Sequence, residues 1–137
     1  MFSGIFQTTT IPVLQEVVNF SQTRHTVLAG NIANLDTPGY KVRDLSVEDF
    51  QEKLHSAIES RDQPPAPRSP GEPAVEDKPT LAEISKNPKS ILYHDKSNVG
   101  LEYQVTEMVK NQLQHNLALS LMRSQFQLLQ AAISGRA

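Results

Sequence analysis

Apolar residues recur along this chain in three separate helical rhythms, divided by stretches with no rhythm at all. In residues 12–35, Leu14, Val17, Val18, Leu28, Ile32 and Leu35 fall near one helical face, with Ser21 and His25 filling the turn between them. Thr10 stands where an N-cap belongs, and Pro12 sits in the first turn, where its missing N–H deprives the helix of nothing. This predicts a helix over residues 11–36 after a flexible N-terminus, residues 1–10. Its end is also marked. Pro38 disfavours helical geometry at Thr37, and Thr37-Pro38-Gly39-Tyr40 places proline and glycine at the central positions of a type II turn.

The second rhythm is shorter. Val47, Phe50, Leu54 and Ile58 recur at spacings of three and four, with Ser46 and Asp49 available as a capping pair, so residues 37–60 read as a turn followed by a short helix. Residues 61–79 then carry six prolines among charged and small residues, with too little apolar surface to offset the entropy of ordering. Together with the weakly patterned residues after them, they make residues 61–96 a flexible, proline-rich linker and a weakly structured segment.

The third rhythm is the most sustained. Leu101, Val105, Met108, Gln112, His115, Leu119, Met122, Phe126, Leu129 and Ile133 recur at alternating spacings of four and three, a heptad seam within a helix spanning residues 97–137. A second line, Val109, Leu113, Leu117 and Leu121, widens the apolar stripe beyond what one helical neighbour requires. The fold class that follows is all-α: long N- and C-terminal helices pairing as an antiparallel, coiled-coil-like hairpin, with a short middle helix and a disordered linker between them.

Both long helices are poor in charge. Residues 12–35 carry only Glu16 and Arg24, and residues 101–134 carry Glu102, Glu107, Lys110 and Arg123. Amides replace ions on the last helix, at Gln104, Asn111, Gln112, Gln114, Asn116, Gln125, Gln127 and Gln130. An amide can be buried against protein at lower cost than a charge and still hydrogen-bond. Assembly with other chains is therefore favoured over a solvated surface, and a soluble helical adaptor or export chaperone, binding a partner's helix in an apolar groove, is the alternative.

Composition removes several function classes. Among 137 residues there are 13 Lys and Arg against 15 Asp and Glu, so no basic excess exists to neutralise nucleic-acid phosphates. The absence of cysteine excludes disulfides and thiolate metal sites. His25, His55, His94 and His115 lack the spacing that places two ligands on one helix face. His115 falls in the seam, where a single polar residue helps to fix register. No phosphate-binding glycine loop, zinc motif or nucleophile elbow occurs, so neither catalytic residues nor a cofactor or metal is expected. No run approaches the roughly 18 apolar residues of a membrane span, and the N-terminus lacks the pattern of a secretory signal.

The most specific string is Asn31-Ile32-Ala33-Asn34-Leu35-Asp36-Thr37-Pro38-Gly39-Tyr40-Lys41. It closely resembles the N-terminal signature of flagellar basal-body rod and hook proteins, N-I-A-N-x-x-T-P-G-Y-K. Asn31, Ile32, Asn34, Thr37, Pro38, Gly39 and Tyr40 are the candidate motif and subunit-packing residues; Val105, Met108, Gln112, His115, Leu119, Met122, Phe126, Leu129 and Ile133 are the candidate seam. The short chain, Lys41-Val42-Arg43-Asp44 and Ser97-Asn98-Val99 most resemble a proximal-rod member of the family, with a sister proximal-rod protein as the nearest alternative. Gly30 and Gly100 depart from the family pattern, and Asn98 is a substitute helix cap at the second of these.

The resemblance implies a structural subunit exported through the flagellar type III apparatus without a cleaved signal peptide. It implies helical polymerisation on the periplasmic side of the inner membrane, with itself, other rod subunits and the rod base at the export gate as partners. Flagellum assembly and motility would require it.

Overall fold

The computed structural model describes residues 9–62, 90–92 and 100–135. Three helices and a short ladder follow in the order α1 (Ile11–Ala33), β1 (Arg43–Leu45), α2 (Val47–Asp62), β2 (Ser90–Leu92) and α3 (Leu101–Ser134). The fold is all-α, with long first and last helices packed together, as their periodicity requires. Of the expected linker, Arg61 and Asp62 close α2 and Ser90–Leu92 form β2; the rest of that segment, with His94 and Asn98, lies outside the described residues.

Local chemistry accounts for the helix ends. Thr10 occupies the N-cap of α1 through its backbone alone: its carbonyl accepts from Leu14 N at 3.0 Å, and no side-chain cap bond forms. Ser46 does cap α2, its Oγ accepting from Asp49 N at 3.1 Å. Gly100 caps α3 without a side chain, and Gly135 ends it in the left-handed conformation, φ +64°.

The apolar core lies between α1, β1 and α2. Phe20, Leu45, Phe50 and Ala57 are buried there, with Val17, Val27, Val47 and Leu54 packed around them. Phe20 and Phe50 stack with ring centroids 4.0 Å apart, and Arg61 Nη1 donates to Thr9 O at 3.0 Å. These two contacts set α2 antiparallel to α1. On another side of α1, Asn31 meets Gln104, Arg24 meets Glu107, and Ser21 meets Asn111 and His115. As the α1 numbers fall the α3 numbers rise, so this pair is antiparallel too. α1 is thus the central helix.

The buried face of α1 coincides only in part with the one its apolar residues mark: Leu28 and Ser21 lie on both. Phe20, Ser21, Arg24, Leu28 and Asn31 are buried, whereas Leu14, Val17, Val18, Ile32 and Leu35 are half-buried. The reason is physical: the Asn31 amide uses all its donors and acceptors and Arg24 is paired with two carboxylates, and polar groups so paired can be buried. The ladder is the other addition. β1 and β2 pair antiparallel with Asp44 opposite Ile91, and three residues are too few for an alternating pattern to announce a strand.

Candidate functional site

The string from Asn31 onward is held together by one side chain. Asn31 is fully buried at the last turn of α1. Its Nδ2 donates to Arg43 O at 2.6 Å and to Gln104 Oε1 at 3.0 Å. Its Oδ1 accepts from Arg43 N at 3.2 Å and from the Tyr40 hydroxyl at 3.1 Å. Every donor and acceptor of this amide is used. The Arg43 backbone is held as a neighbouring strand would hold it, so β1 is paired on one edge by β2 and on the other by Asn31.

Between Asn31 and Arg43 the chain turns as its residues dictate. Asn34 Nδ2 donates to Gly30 O at 2.8 Å, the same carbonyl that accepts from Asn34 N at 3.1 Å, so this residue closes the helix end with both its backbone and its side chain. Tyr40 N donates to Thr37 O at 3.1 Å across the turn, and Gly39 has φ +77°, the positive value a type II turn requires at that position. Thr37, Pro38 and Gly39 are exposed, while Ile32, Asn34 and Tyr40 are half-buried. The turn therefore folds Tyr40 back onto the helix that precedes it.

A second polar cluster joins α1, β1 and α3. Arg24 Nε and Nη2 donate to the two carboxylate oxygens of Asp44 at 2.8 and 2.6 Å, and Nη2 also donates to Glu107 Oε2 at 2.9 Å. Asp44 Oδ1 accepts from Leu45 N at 2.7 Å, and Lys110 Nζ donates to Glu107 Oε1 at 2.8 Å. The hydrogen bond to Asp44, opposed by desolvation and aided by Glu107, raises the Arg24 pKa further above its ordinary value. Lys110 first and Arg24 next hold the Glu107 carboxyl below the usual carboxylate range, although burial opposes them. A cleft of about 310 Å³ opens beside this cluster, lined also by Val47, Glu48, Tyr103 and Gln114.

The seam between α1 and α3 is correspondingly polar. Gln104, Asn111 and Ala118 are the buried residues of α3, and Asn111 Nδ2 donates to Ser21 O at 2.7 Å. His115 Nδ1 lies 3.0 Å from Ser21 Oγ, which itself donates to Val18 O. Of the nine candidate seam residues, Met108, His115, Met122 and Leu129 are half-buried on the side nearest this face. Val105, Gln112, Leu119, Phe126 and Ile133 are exposed, and Ile133 is 86% exposed. The inward row alternates Gln104, Met108, Asn111, His115, Ala118 and Met122; it shares every second position with the expected seam and is turned away from it at the others. Gln104 and Asn111 were visible only as members of a list of amides, because their partners, Asn31 and Ser21, are far away in sequence.

The second apolar line faces away from the other described residues. Val109, Leu113, Leu117 and Leu121 are 62, 70, 59 and 48% exposed, and Leu128 continues them at 62%. Among the described residues no group of three His, Cys, Asp or Glu is placed to hold a metal ion.

Fold and site together define a class: helical hairpins whose terminal helices pair largely through polar side chains and, among the described residues, leave a long apolar stripe exposed. Residues 19–41, which include Arg24, Asn31 and the Pro-Gly turn, match the family model for the flagella basal body rod protein. Three known proteins similar to the chain are each the flagellar basal body rod protein FlgB. That of Aquifex aeolicus is 30% identical over 131 residues, covering 93% of this chain and 94% of its own. That of Escherichia coli is 32% identical over 117 residues, covering 81% and 83%. That of Bacillus subtilis is 23% identical over 135 residues, covering 98% and 97%. The chain belongs to the FlgB family of flagellar basal body rod proteins.

Proposed function

We propose that this chain is a non-enzymatic structural subunit of the proximal rod of the bacterial flagellum, polymerising helically with itself and with other rod proteins. The observation that carries this reading is the outward stripe of α3. Monomeric proteins rarely leave contiguous apolar patches of such length uncovered, and Val109, Leu113, Leu117, Leu121 and Leu128 form a line along one side of a 34-residue helix. The line is bordered mainly by amides, with Gln112, Asn116 and Gln127 all exposed, and by only two exposed cations, Lys110 and Arg123. Such a surface loses little when another protein helix covers it.

A stripe along a rod-like subunit suits a heterologous contact, in which one face of a copy meets a different face of the next. Contacts of that kind generate open helical assemblies when the rotation does not close a ring. The partners are then other rod subunits and further copies of this chain, with the rod base at the export gate at one end. The place is the periplasmic part of the basal body, reached by type III export without a cleaved signal peptide. Flagellum assembly and motility require the subunit. No helix among the described residues is long and apolar enough to cross a membrane.

The same stripe would also suit an adaptor that captures a single partner helix. Fractionation separates the two. A rod subunit co-purifies with basal bodies after detergent extraction, whereas recovery wholly in the soluble fraction as a small closed oligomer would reject the rod assignment.

A further inference from the structure

The last helix has two faces from which the seam with α1 could be built, and the one turned to α1 is the more polar of the two. Gln104, Glu107, Asn111 and His115 face inward among Met108, Ala118 and Met122; Val109, Leu113, Leu117 and Leu121 face solvent. With about 100° of turn per residue, these two rows lie on nearly opposite sides of α3. Hydrophobic burial alone would turn the helix about its axis and place the leucines against Val18 and Leu28 of α1. Something in the chain opposes that turn.

Three contacts do so, and all are made by polar groups that α1 already presents. Arg24, with its side chain 7% exposed, takes its second carboxylate from Glu107. Asn31 takes Gln104 as the partner of Nδ2, and Asn111 takes the Ser21 carbonyl. Turning α3 would set leucine against a buried guanidinium and strip each amide of a partner, which is the arrangement a buried charge tolerates least. A single polar residue is known to fix register in helical seams; here an ion cluster and two amides act over three successive turns.

We propose that the Arg24–Asp44–Glu107 cluster, supported by the Asn31–Gln104 and Asn111–Ser21 contacts, is a rotational lock that holds α3 with its apolar stripe outward, against the tendency of the chain to bury that stripe itself. The lock is a property of the isolated chain. Its value for assembly rests on the rod-subunit reading, but the lock stands or falls separately. A subunit without it would satisfy its own apolar surface and arrive at the growing rod with nothing to offer.

The test uses the natural absence of cysteine. In the otherwise unaltered full chain, Ser21→Cys/His115→Cys places two thiols across the observed seam, and Ser21→Cys/Leu113→Cys places the second thiol on the far side of α3. The Asn111 contact survives both, because it uses the Ser21 backbone carbonyl. A short bifunctional thiol reagent should link the first pair at least tenfold faster than the second in dilute monomer. The same pairs are then placed on Arg24→Met/Asp44→Asn/Glu107→Leu, which removes the charges together and keeps an acceptor for Leu45 N. There the ratio should fall at least threefold, and binding of a hydrophobic dye should fall with it. An unchanged ratio in a variant that keeps its helical circular dichroism would overturn the lock. Should the triple variant unfold, Glu107→Gln provides the decision, because it keeps the size of the side chain but replaces one of the two oxygens that accept from Arg24 and Lys110 with an NH2 that can only donate: a ratio lowered by half or more supports the lock, and an unaltered one with helicity retained overturns it. None of these outcomes depends on whether the chain enters a rod.

Discussion

At the scale of single residues, two glycines near the end of α1 have opposite requirements. Gly39 holds φ +77° at the turn, a conformation that costs an L-residue with a branched side chain about 1–2 kcal/mol. Gly39→Val should therefore lower stability by that amount in urea unfolding, with the m-value unchanged. Gly30 is helical, and a Cβ there would stand 3.9 Å from the Tyr40 hydroxyl oxygen, an ordinary contact. Gly30→Ala should raise stability by up to about 1 kcal/mol, the usual difference between the two residues inside a helix. Asn31→Asp is nearly isosteric but removes both Nδ2 bonds and sets a carboxylate against Arg43 O and Gln104 Oε1. A loss of about 2 kcal/mol or more is expected, whereas a chain of unchanged stability would show that the amide is dispensable. The turn residues were legible beforehand because proline and glycine carry their backbone preference with them. Asn31 was legible only as part of a string, since its work depends on Gln104 and Arg43, which no local rule connects to it.

At the scale of elements, all three helices could be read from periodicity. Which face each helix buries was harder to read. On α1 the apolar positions pointed to Leu14, Val17, Val18, Leu28, Ile32 and Leu35; Leu28 is buried, but the other five are half-buried, and Arg24 and Asn31 share the interior because β1 and α3 supply their partners. On α3 the heptad repeat was legible and its rotation was not, because a stripe wide enough for more than one neighbour does not say which neighbour comes from the same chain. The ladder of β1 and β2 escaped because it is short and joins distant residues.

The seam between α1 and α3 should respond to acid. In the folded chain the Glu107 carboxyl titrates below the usual carboxylate range, chiefly through Lys110 and then Arg24. A carboxyl with a depressed folded value stabilises the fold above its unfolded value and loses that contribution as pH falls through the folded one. Thermal melting should therefore drop below about pH 4, where the unfolded chain takes up the proton, and Glu107→Gln should flatten that part of the profile. Parallel profiles for the two proteins would remove Glu107 from the seam energetics. Because Lys110 is exposed and screened by solvent, added salt should weaken its share of the effect while leaving the Arg24 bonds largely intact.

At the scale of the whole molecule, the chain places its amino acids against the usual order for a helical hairpin. α2 and β1 supply the apolar core on one side of α1, polar side chains make the contact with α3 on another, and leucines are left outward. Such an arrangement is uneconomical for a protein that works alone and coherent for one whose last helix is completed by neighbours, as its membership of the FlgB family leads one to expect. The outward line was present in the sequence as the second row beside the heptad, although only the structure distinguishes it from the row that faces α1.

The most direct measurement concerns that outward line. Leu113→Asp/Leu117→Asp puts two charges on residues that are 70 and 59% exposed, so the isolated chain should keep its helical circular dichroism and its melting temperature. Supplied in place of the natural protein, this variant should be missing from purified basal bodies and should leave cells without swimming motility. Wild-type amounts of the variant in the rod, with normal swimming, would contradict the claim that this stripe joins the subunit to its neighbours.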